Sequence, residues 1–244
     1  KVLVLGGYGA VGTAICGDLA ETPHISEVVC AGRNIGKARK LAHKLKSDKV
    51  TPRKVDVSNS NELMKTLEEV DIVINSSLPE YNIAVMEAAL KSGVHYIDNA
   101  VYEKVDYKLK FNDAYREAGL TGLLNLGEDP GLSNIFVRYA ADRMDRVAEI
   151  RVRDGETCET EKYPFVATFS PKTVKLLKTL KELGLMDQNP IDVKGVRVSP
   201  LDVFISLIPT PAEIGGEVDG YACILADVRG EKEGAKVCHV VYTY

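Results

Sequence analysis

The 244-residue sequence predicts an α/β chain: an N-terminal doubly wound parallel sheet, then a C-terminal α+β domain with a mostly antiparallel sheet. Three observations carry this. The chain opens on an apolar run, Lys1-Val2-Leu3-Val4-Leu5-Gly6, that leads straight into Gly7-Tyr8-Gly9-Ala10-Val11-Gly12. Short apolar runs then alternate with segments of helical period up to Asn125, the pattern of strands buried on both faces by crossover helices. Beyond Arg146 the apolar residues alternate singly with charged ones, which marks half-exposed strands instead.

The opening carries the chemistry. A strand, then G-x-G-x-x-G, then a helix is the dinucleotide fingerprint of the Rossmann fold. Gly7 permits the tight turn, Gly9 lets backbone approach a pyrophosphate, and Gly12 lets helix pack on strand. A helix over Ala10 to Ala20 points the N–H groups of its first turn, Ala10 and Val11 included, at that same spot. A glycine-rich turn that binds nothing is the alternative. The second strand, Glu27 to Ala31, ends at Gly32-Arg33-Asn34, where an Asp or Glu would hold the ribose 2′-OH of NAD. No carboxylate stands there. The Arg33 guanidinium, beside Asn34 and ahead of Lys37 and Arg39, suits the 2′-phosphate of NADP instead, with NAD a second choice and a solvated loop charge the plain reading.

Ile35 to Leu45 reads as a crossover helix, and Arg53 to Val57 as the third strand, with Asp56 near an adenine or simply capping a loop. Ser58 or Asn59 caps a helix carrying Leu63, Met64 and Leu67. Asp71 to Asn75 is the fourth strand. Its loop, Ser76-Ser77-Leu78-Pro79, borders the nicotinamide half in such sheets, so Ser77 and Leu78 are cofactor candidates, although these are also ordinary turn residues. A helix over Tyr81 to Lys91, a strand over Val94 to Asp98, a helix over Asp106 to Ala118 and a strand over Leu120 to Asn125 complete the sheet. Next comes Leu126-Gly127-Glu128-Asp129-Pro130-Gly131-Leu132-Ser133-Asn134. Asp129 as N-cap and Pro130 at the first helical position would start a helix that buries Ile135, Val137, Tyr139, Ala140 and Met144.

The division expected is a dinucleotide-binding domain over 1–130 and a substrate-binding and dimerisation domain over 131–244. In the second, Val147 to Arg153 and Phe165 to Phe169 read as strands, Lys172 to Leu183 as a helix, Val193 to Val198 as a strand and Ser199-Pro200 as a helix start. Tyr221 to Val228 and Ala235 to Tyr242 form a hairpin.

Lys and Arg (31) are interleaved with Asp and Glu (35), which leaves no basic stripe for a nucleic acid. Five cysteines lack C-x-x-C spacing and read as reduced core thiols of a cytoplasmic protein, with no metal site. No apolar run approaches a membrane span and no leader precedes the first strand.

From Gly127 to Asn134 the chain resembles the saccharopine dehydrogenase (glutamate-forming) family, which also holds lysine 6-dehydrogenases and carboxynorspermidine synthases. The segments Tyr163 to Pro171, Leu180 to Asp187 and Val196 to Pro200 are similar to that family as well. The resemblance implies an NAD(P)-dependent oxidoreductase that moves a hydride at the C–N bond of a saccharopine- or lysine-like substrate. Asp129 would serve as acid–base group or hydrogen-bond the cofactor's carboxamide, with Tyr102 second, against the plain readings of an N-cap and of packing; the antiparallel sheet with one apolar face supports a homodimer. In the family a long stretch of β structure separates the segments like 163–174 and 175–187. Here they adjoin, and the chain is also short between Pro209 and Asp219, so part of the substrate wall is expected to be missing. Substrate carboxylates call for cations, for which Arg138, Arg151, Arg153 and Lys162 are available. A non-catalytic dinucleotide sensor or dimerisation protein is the rival reading. A short-chain-type reductase lacks support, because Tyr81 and Tyr102 are followed at the Tyr-x-x-x-Lys spacing by Val85 and Asp106.

Overall fold

A computed structural model describes residues 1–102, 104–159, 187, 189–193, 195–200, 203 and 219–243. It has two compact units, one of Lys1–Asp154 with Ile224–Thr243 and one of Gly155–Cys223.

Six strands, β1 (Val2–Leu5), β2 (Val28–Gly32), β3 (Val50–Lys54), β4 (Ile72–Asn75), β5 (His95–Asp98) and β6 (Gly122–Leu123), form one sheet in the order β3-β2-β1-β4-β5-β6. Every pairing is parallel. Alternation along β1 divides the core between the two faces. Leu3 and Leu5 join Leu63, Leu67, Val85, Met86 and Tyr96 on one side. Val2 and Val4 join Cys16, Cys30, Ala38 and Leu41 on the other. A strand buried on both faces needs the unbroken apolar run that the sequence shows.

Helices α1 (Ala10–Glu21), α2 (Ile35–Leu45), α3 (Ser60–Leu67) and α4 (Asn82–Ser92) are the crossovers. Asn34 and Asn59 cap α2 and α3 by accepting from the N–H groups of Lys37 and Glu62.

Three elements differ from expectation. Strand β3 begins three residues before the predicted Arg53 and contains Pro52. Its place at the sheet edge tolerates the missing N–H, and Val50 is buried there. The helix expected over Asp106 to Ala118 is two short ones, α5 (Val105–Leu109) and α6 (Asn112–Glu117). Between them Phe111 turns in to pack on the core. Strand β6 is only two residues long and the chain leaves it at Asn125, whose φ is 57°.

Tyr115 of α6 is buried and donates to the Met86 carbonyl at 2.8 Å. Burial pushes its phenol above the ordinary value of 10. The sign follows from linkage: the unfolded chain ionises first, so this stability is complete below about pH 10 and declines as pH rises through the folded value. Denaturation at pH 8 and pH 11 should show an alkaline loss that Tyr115→Phe reduces.

Helix α7 (Leu132–Ala141) follows the sheet. Its buried residues are Ser133 and Ala140. Ile135 and Tyr139, expected inside, are 55% and 53% exposed, and the Arg143 guanidinium stacks on Tyr139. Strands β7 (Arg146–Glu159), β10 (Asp219–Lys232) and β11 (Ala235–Thr243) form a second sheet with β10 central. Ile224, Ala226 and Val228 of β10 are fully buried. The expected apolar face of β7 is not covered: Ile150 and Val152 are 50% and 40% exposed.

The β10–β11 hairpin closes on Glu233-Gly234, both at positive φ, the conformation that matches strand twist. The run Val193 to Val198 is the centre of a hairpin, not one strand. Here β8 (Ile191–Val193) and β9 (Val196–Val198) turn at Gly195, whose N–H is accepted by Asp192. Cys16 and Cys30 are buried as expected of core thiols, but Cys238 is exposed on β11. The expected strand over 165–169, the helix over 172–183, Lys162 and the segments flanking the shortened regions lie outside the described residues.

Candidate active site at the carboxyl ends of the strands

The site starts at the turn between β1 and α1. A Cβ on Gly12 would overlap the Gly6 carbonyl and the Gly7 backbone, so the absent side chain is what seats α1 against the strand. A Cβ on Gly9 would meet only the Gly6 carbonyl, at 3.1 Å, leaving that side of the turn open. The N-cap of α1 is Gly9, which offers no side-chain cap, and its first turn holds no acid. The N–H groups of Ala10, Val11 and Gly12 have no acceptor among the described residues. Three orphan donors at the positive end of a 12-residue helix, facing a glycine-rich turn, fit a diphosphate. From beneath, the Cys16 thiol donates to the Gly7 carbonyl at 3.6 Å. Burial beside Cys30 pushes the Cys16 thiol above its ordinary value.

Next to the turn, β2 ends at Gly32-Arg33-Asn34 with Arg33 and Asn34 exposed. Asp56 lies within electrostatic reach of Arg33. The N–H and hydroxyl of Ser58 both donate to Asp56 Oδ1, at 3.0 and 2.7 Å, and hold its carboxyl below the ordinary range, with Arg33 and Lys54 adding to the effect. Asp56 therefore shapes the loop into α3 within electrostatic reach of Arg33.

On the other side, Asn75 at the end of β4 accepts from the Ser77 N–H and hydroxyl, at 3.2 and 2.6 Å. Leu78 precedes a short 3-10 turn over Pro79–Tyr81. A continuous rim then crosses the sheet. A Cβ at Gly6 would strike Ser76, Asn99 donates to the Ser76 hydroxyl at 3.0 Å, and a Cβ at Gly127 would strike the Asn99 carbonyl. The ends of β1, β4 and β5 are thus joined to the segment that bears Asp129.

Asp129 is not the helix cap. The loop closes on itself through Gly127 N–H to the Pro130 carbonyl and Leu132 N–H to the Gly127 carbonyl, both at 3.0 Å. Helix α7 therefore starts after Gly131, whose N–H donates to Asn134 Oδ1 at 3.0 Å. The Asp129–Pro130 peptide is cis. Asp129 sits exposed on this loop and accepts from the Ser133 hydroxyl at 2.7 Å. Tyr102 is 63% exposed and makes no hydrogen bond among the described residues, so no contact ties it to Asp129. Of the basic candidates, Arg138 pairs with Asp142 and Arg151 with Glu149, each at 2.7 Å.

Sequence reasoning missed the polar network under this rim. Asp98 and Lys108 form an ion pair at 2.7 Å with both side chains fully buried. Asp98 also accepts from the Tyr96 hydroxyl and from the Asn125 N–H, each at 2.8 Å, and Lys108 donates to Asn125 Oδ1 at 2.7 Å. Asn82 bridges Asn75 and the Ala100 carbonyl, at 2.8 Å each. A signal existed: Asp98 ends an apolar strand, where a carboxylate has to find a partner.

An open glycine turn, unpartnered helix N–H groups and a basic β2 end define a dinucleotide-binding α/β domain. Residues 2–123, half of the chain, match the model of the saccharopine dehydrogenase NADP-binding domain. The chain belongs to the saccharopine dehydrogenase family of NADP-dependent oxidoreductases. It is 23% identical to carboxyaminopropylagmatine dehydrogenase of Synechocystis sp., over 99% of this chain and 80% of that protein. The 321-residue alignment exceeds the length of this chain, so the relative carries segments absent here. Carboxynorspermidine synthase of Vibrio cholerae is 30% identical over 68% of this chain and 46% of its own length. In fold, the chain is similar to saccharopine dehydrogenase (L-Glu forming) of Saccharomyces cerevisiae. That match has a TM-score of 0.56 at 20% identity and covers 93% of this chain and 49% of the other. The chain thus spans about half the length of the Vibrio and yeast relatives. No helix among the described residues is long and apolar enough to cross a membrane.

Proposed function

We propose that the protein transfers a hydride between NADP(H) and the carbon of a C–N bond in an amine that carries a carboxylate, a saccharopine- or lysine-like molecule. The observation that carries this reading is the rim itself, which runs from the orphan N–H groups of α1 to the Asp129 loop along the carboxyl ends of β1, β4 and β5. Two relatives, a carboxyaminopropylagmatine dehydrogenase and a carboxynorspermidine synthase, support by their names the same substrate chemistry.

Bound NADP(H) supplies the hydride acceptor or donor. The chain's part is to bind, orient and move a proton. Gly7, Gly9, Ala10, Val11 and Gly12 receive the diphosphate, Arg33 and Asn34 the 2′-phosphate, and Asp56 borders the adenosine. Ser77 and Leu78 border the nicotinamide half. Asp129 exchanges a proton with the substrate nitrogen, with Tyr102 the second choice, and Arg153 is the cation offered to a substrate carboxylate. The region 131–244 serves substrate binding and dimerisation of a cytoplasmic homodimer.

Arg33→Ala should raise the Kd for NADPH about tenfold or more and leave that for NADH near its starting value, since a charge-assisted contact to phosphate is lost. Calorimetric titration of both coenzymes measures this, and an unchanged ratio removes Arg33 from the site. For the reaction, the protein is mixed with NADPH or NADP and a panel of lysine, saccharopine and carboxylated diamines, and nicotinamide absorbance is followed. Coenzyme binding with no turnover on the whole panel would favour the sensor reading.

A further inference from the structure

Tyr8 lies between two glycines of the turn, at a position whose side chain the dinucleotide fingerprint leaves unspecified. In the fold it reaches across to the end of β2. Its ring covers Gly32 so closely that a Cβ there would stand 2.6 Å from Cε1, 2.7 Å from the hydroxyl oxygen and 2.8 Å from Cζ. The hydroxyl accepts the Asn34 N–H at 2.8 Å, a contact 26 residues apart in sequence. A phenol both accepts and donates. Tyr8 uses its oxygen as acceptor, and its own O–H has no acceptor among the described residues. Accepting a hydrogen bond polarises the O–H and strengthens it as a donor.

The neighbourhood of that free donor is cationic. Arg33 is the adjacent exposed residue, Lys37 follows on α2, and Asn34 is the N-cap of that 11-residue helix, whose positive end lies here. An aromatic ring laid on a glycine is held on its face by packing, so the hydroxyl is positioned before any ligand arrives. Gly32 makes that possible, since any side chain would displace the ring.

We propose that the Tyr8 hydroxyl is a coenzyme-selecting donor to the 2′-phosphate of NADP, acting beside Arg33. The proposal rests on the reading of this crevice as an NADP site. Tyr8 ties the phosphate-binding turn to the β2 end, so one side chain both positions Asn34 and offers a hydrogen to a phosphate oxygen. A coenzyme without the 2′-phosphate gives that hydrogen no charged acceptor.

Calorimetric titration of the full protein with NADPH, NADH, adenosine 2′,5′-bisphosphate and 5′-AMP tests this without any substrate. Tyr8→Phe keeps the ring on Gly32 and removes only the hydroxyl. The Kd for NADPH and for the bisphosphate should each rise about tenfold, the scale of a hydrogen bond to a charged group, while those for NADH and 5′-AMP stay within about twofold. Gly32→Ala, which pushes the ring away, should lose the same selectivity with Arg33 in place. Equal weakening of all four ligands in Tyr8→Phe would mean a purely structural role and overturn the proposal. So would unchanged or tighter NADPH binding, which would show the ring occupying the ligand's place. Failure of the unaltered protein to bind NADPH at all would instead reject the underlying site.

Discussion

Lys108→Met is expected to destabilise the first unit by about 3–5 kcal/mol, the cost of removing one partner from a buried ion pair. For a chain of this size that lowers the melting temperature by roughly 6–20 °C. Helix α5 is built around this lysine. Lys108 is its buried residue, whereas Val105, Tyr107 and Leu109 are 42%, 53% and 52% exposed. Without the ammonium, the Asp98 carboxylate remains sealed from water with two donors, the Tyr96 hydroxyl and the Asn125 N–H. Such a carboxylate has no compensating charge among the described residues. The variant Lys108→Met with Asp98→Asn should recover part of the loss, because the two residues are coupled and their effects do not add. Thermal and urea denaturation of the single and double variants checks this. A cost below about 1 kcal/mol for Lys108→Met would mean the pair is solvated.

Asp129→Asn is expected to lower kcat by about 10²–10⁴-fold, the span of a positioned acid–base group, with coenzyme affinity nearly unchanged. The geometry separates chemistry from folding. One carboxylate oxygen accepts from the Ser133 hydroxyl at 2.7 Å, a bond that the asparagine carbonyl keeps. The other oxygen has no partner among the described residues, and an amide there can no longer take a proton from nitrogen. The loop closure by Gly127, Pro130 and Leu132 uses main chain only, so the substitution leaves it intact. Single-turnover hydride transfer, read at the nicotinamide absorbance for the parent and the variant, decides the matter. Equal rates would return Asp129 to the role of a loop brace for Ser133.

Much of the parallel sheet could be read directly from the chain. The predicted helix Ile35 to Leu45 has the observed bounds, because its apolar residues repeat at 3.6 and Asn34 supplies a local cap. Gly12 seats helix on turn as the fingerprint expects because its constraint is local: a Cβ there would meet the backbone of Gly6 and Gly7, a few residues back. Errors arose where sheet position or loop closure outweighed the local pattern. The third strand is expected from Arg53 to Val57, yet β3 runs from Val50 to Lys54, since its edge position accepts Pro52. Asp129-Pro130 has the composition of a helix start, yet closure of the loop on Gly127 moves that start to Leu132.

Hydrophobic period and glycine spacing were enough to expect a dinucleotide-binding half, and the absence of an acid after β2 to expect NADP, since each is a short-range property of the chain; the family came from the resemblance that Gly127 to Asn134 carries. Which polar groups meet was settled by tertiary structure alone. Lys108 reads as one more surface lysine and Tyr8 as a spacer between glycines until the sheet brings Asp98 and Asn34 to them across 10 and 26 residues. Burial turns such meetings into strong constraints, because a charge or N–H removed from water has to be matched by whatever the fold places beside it.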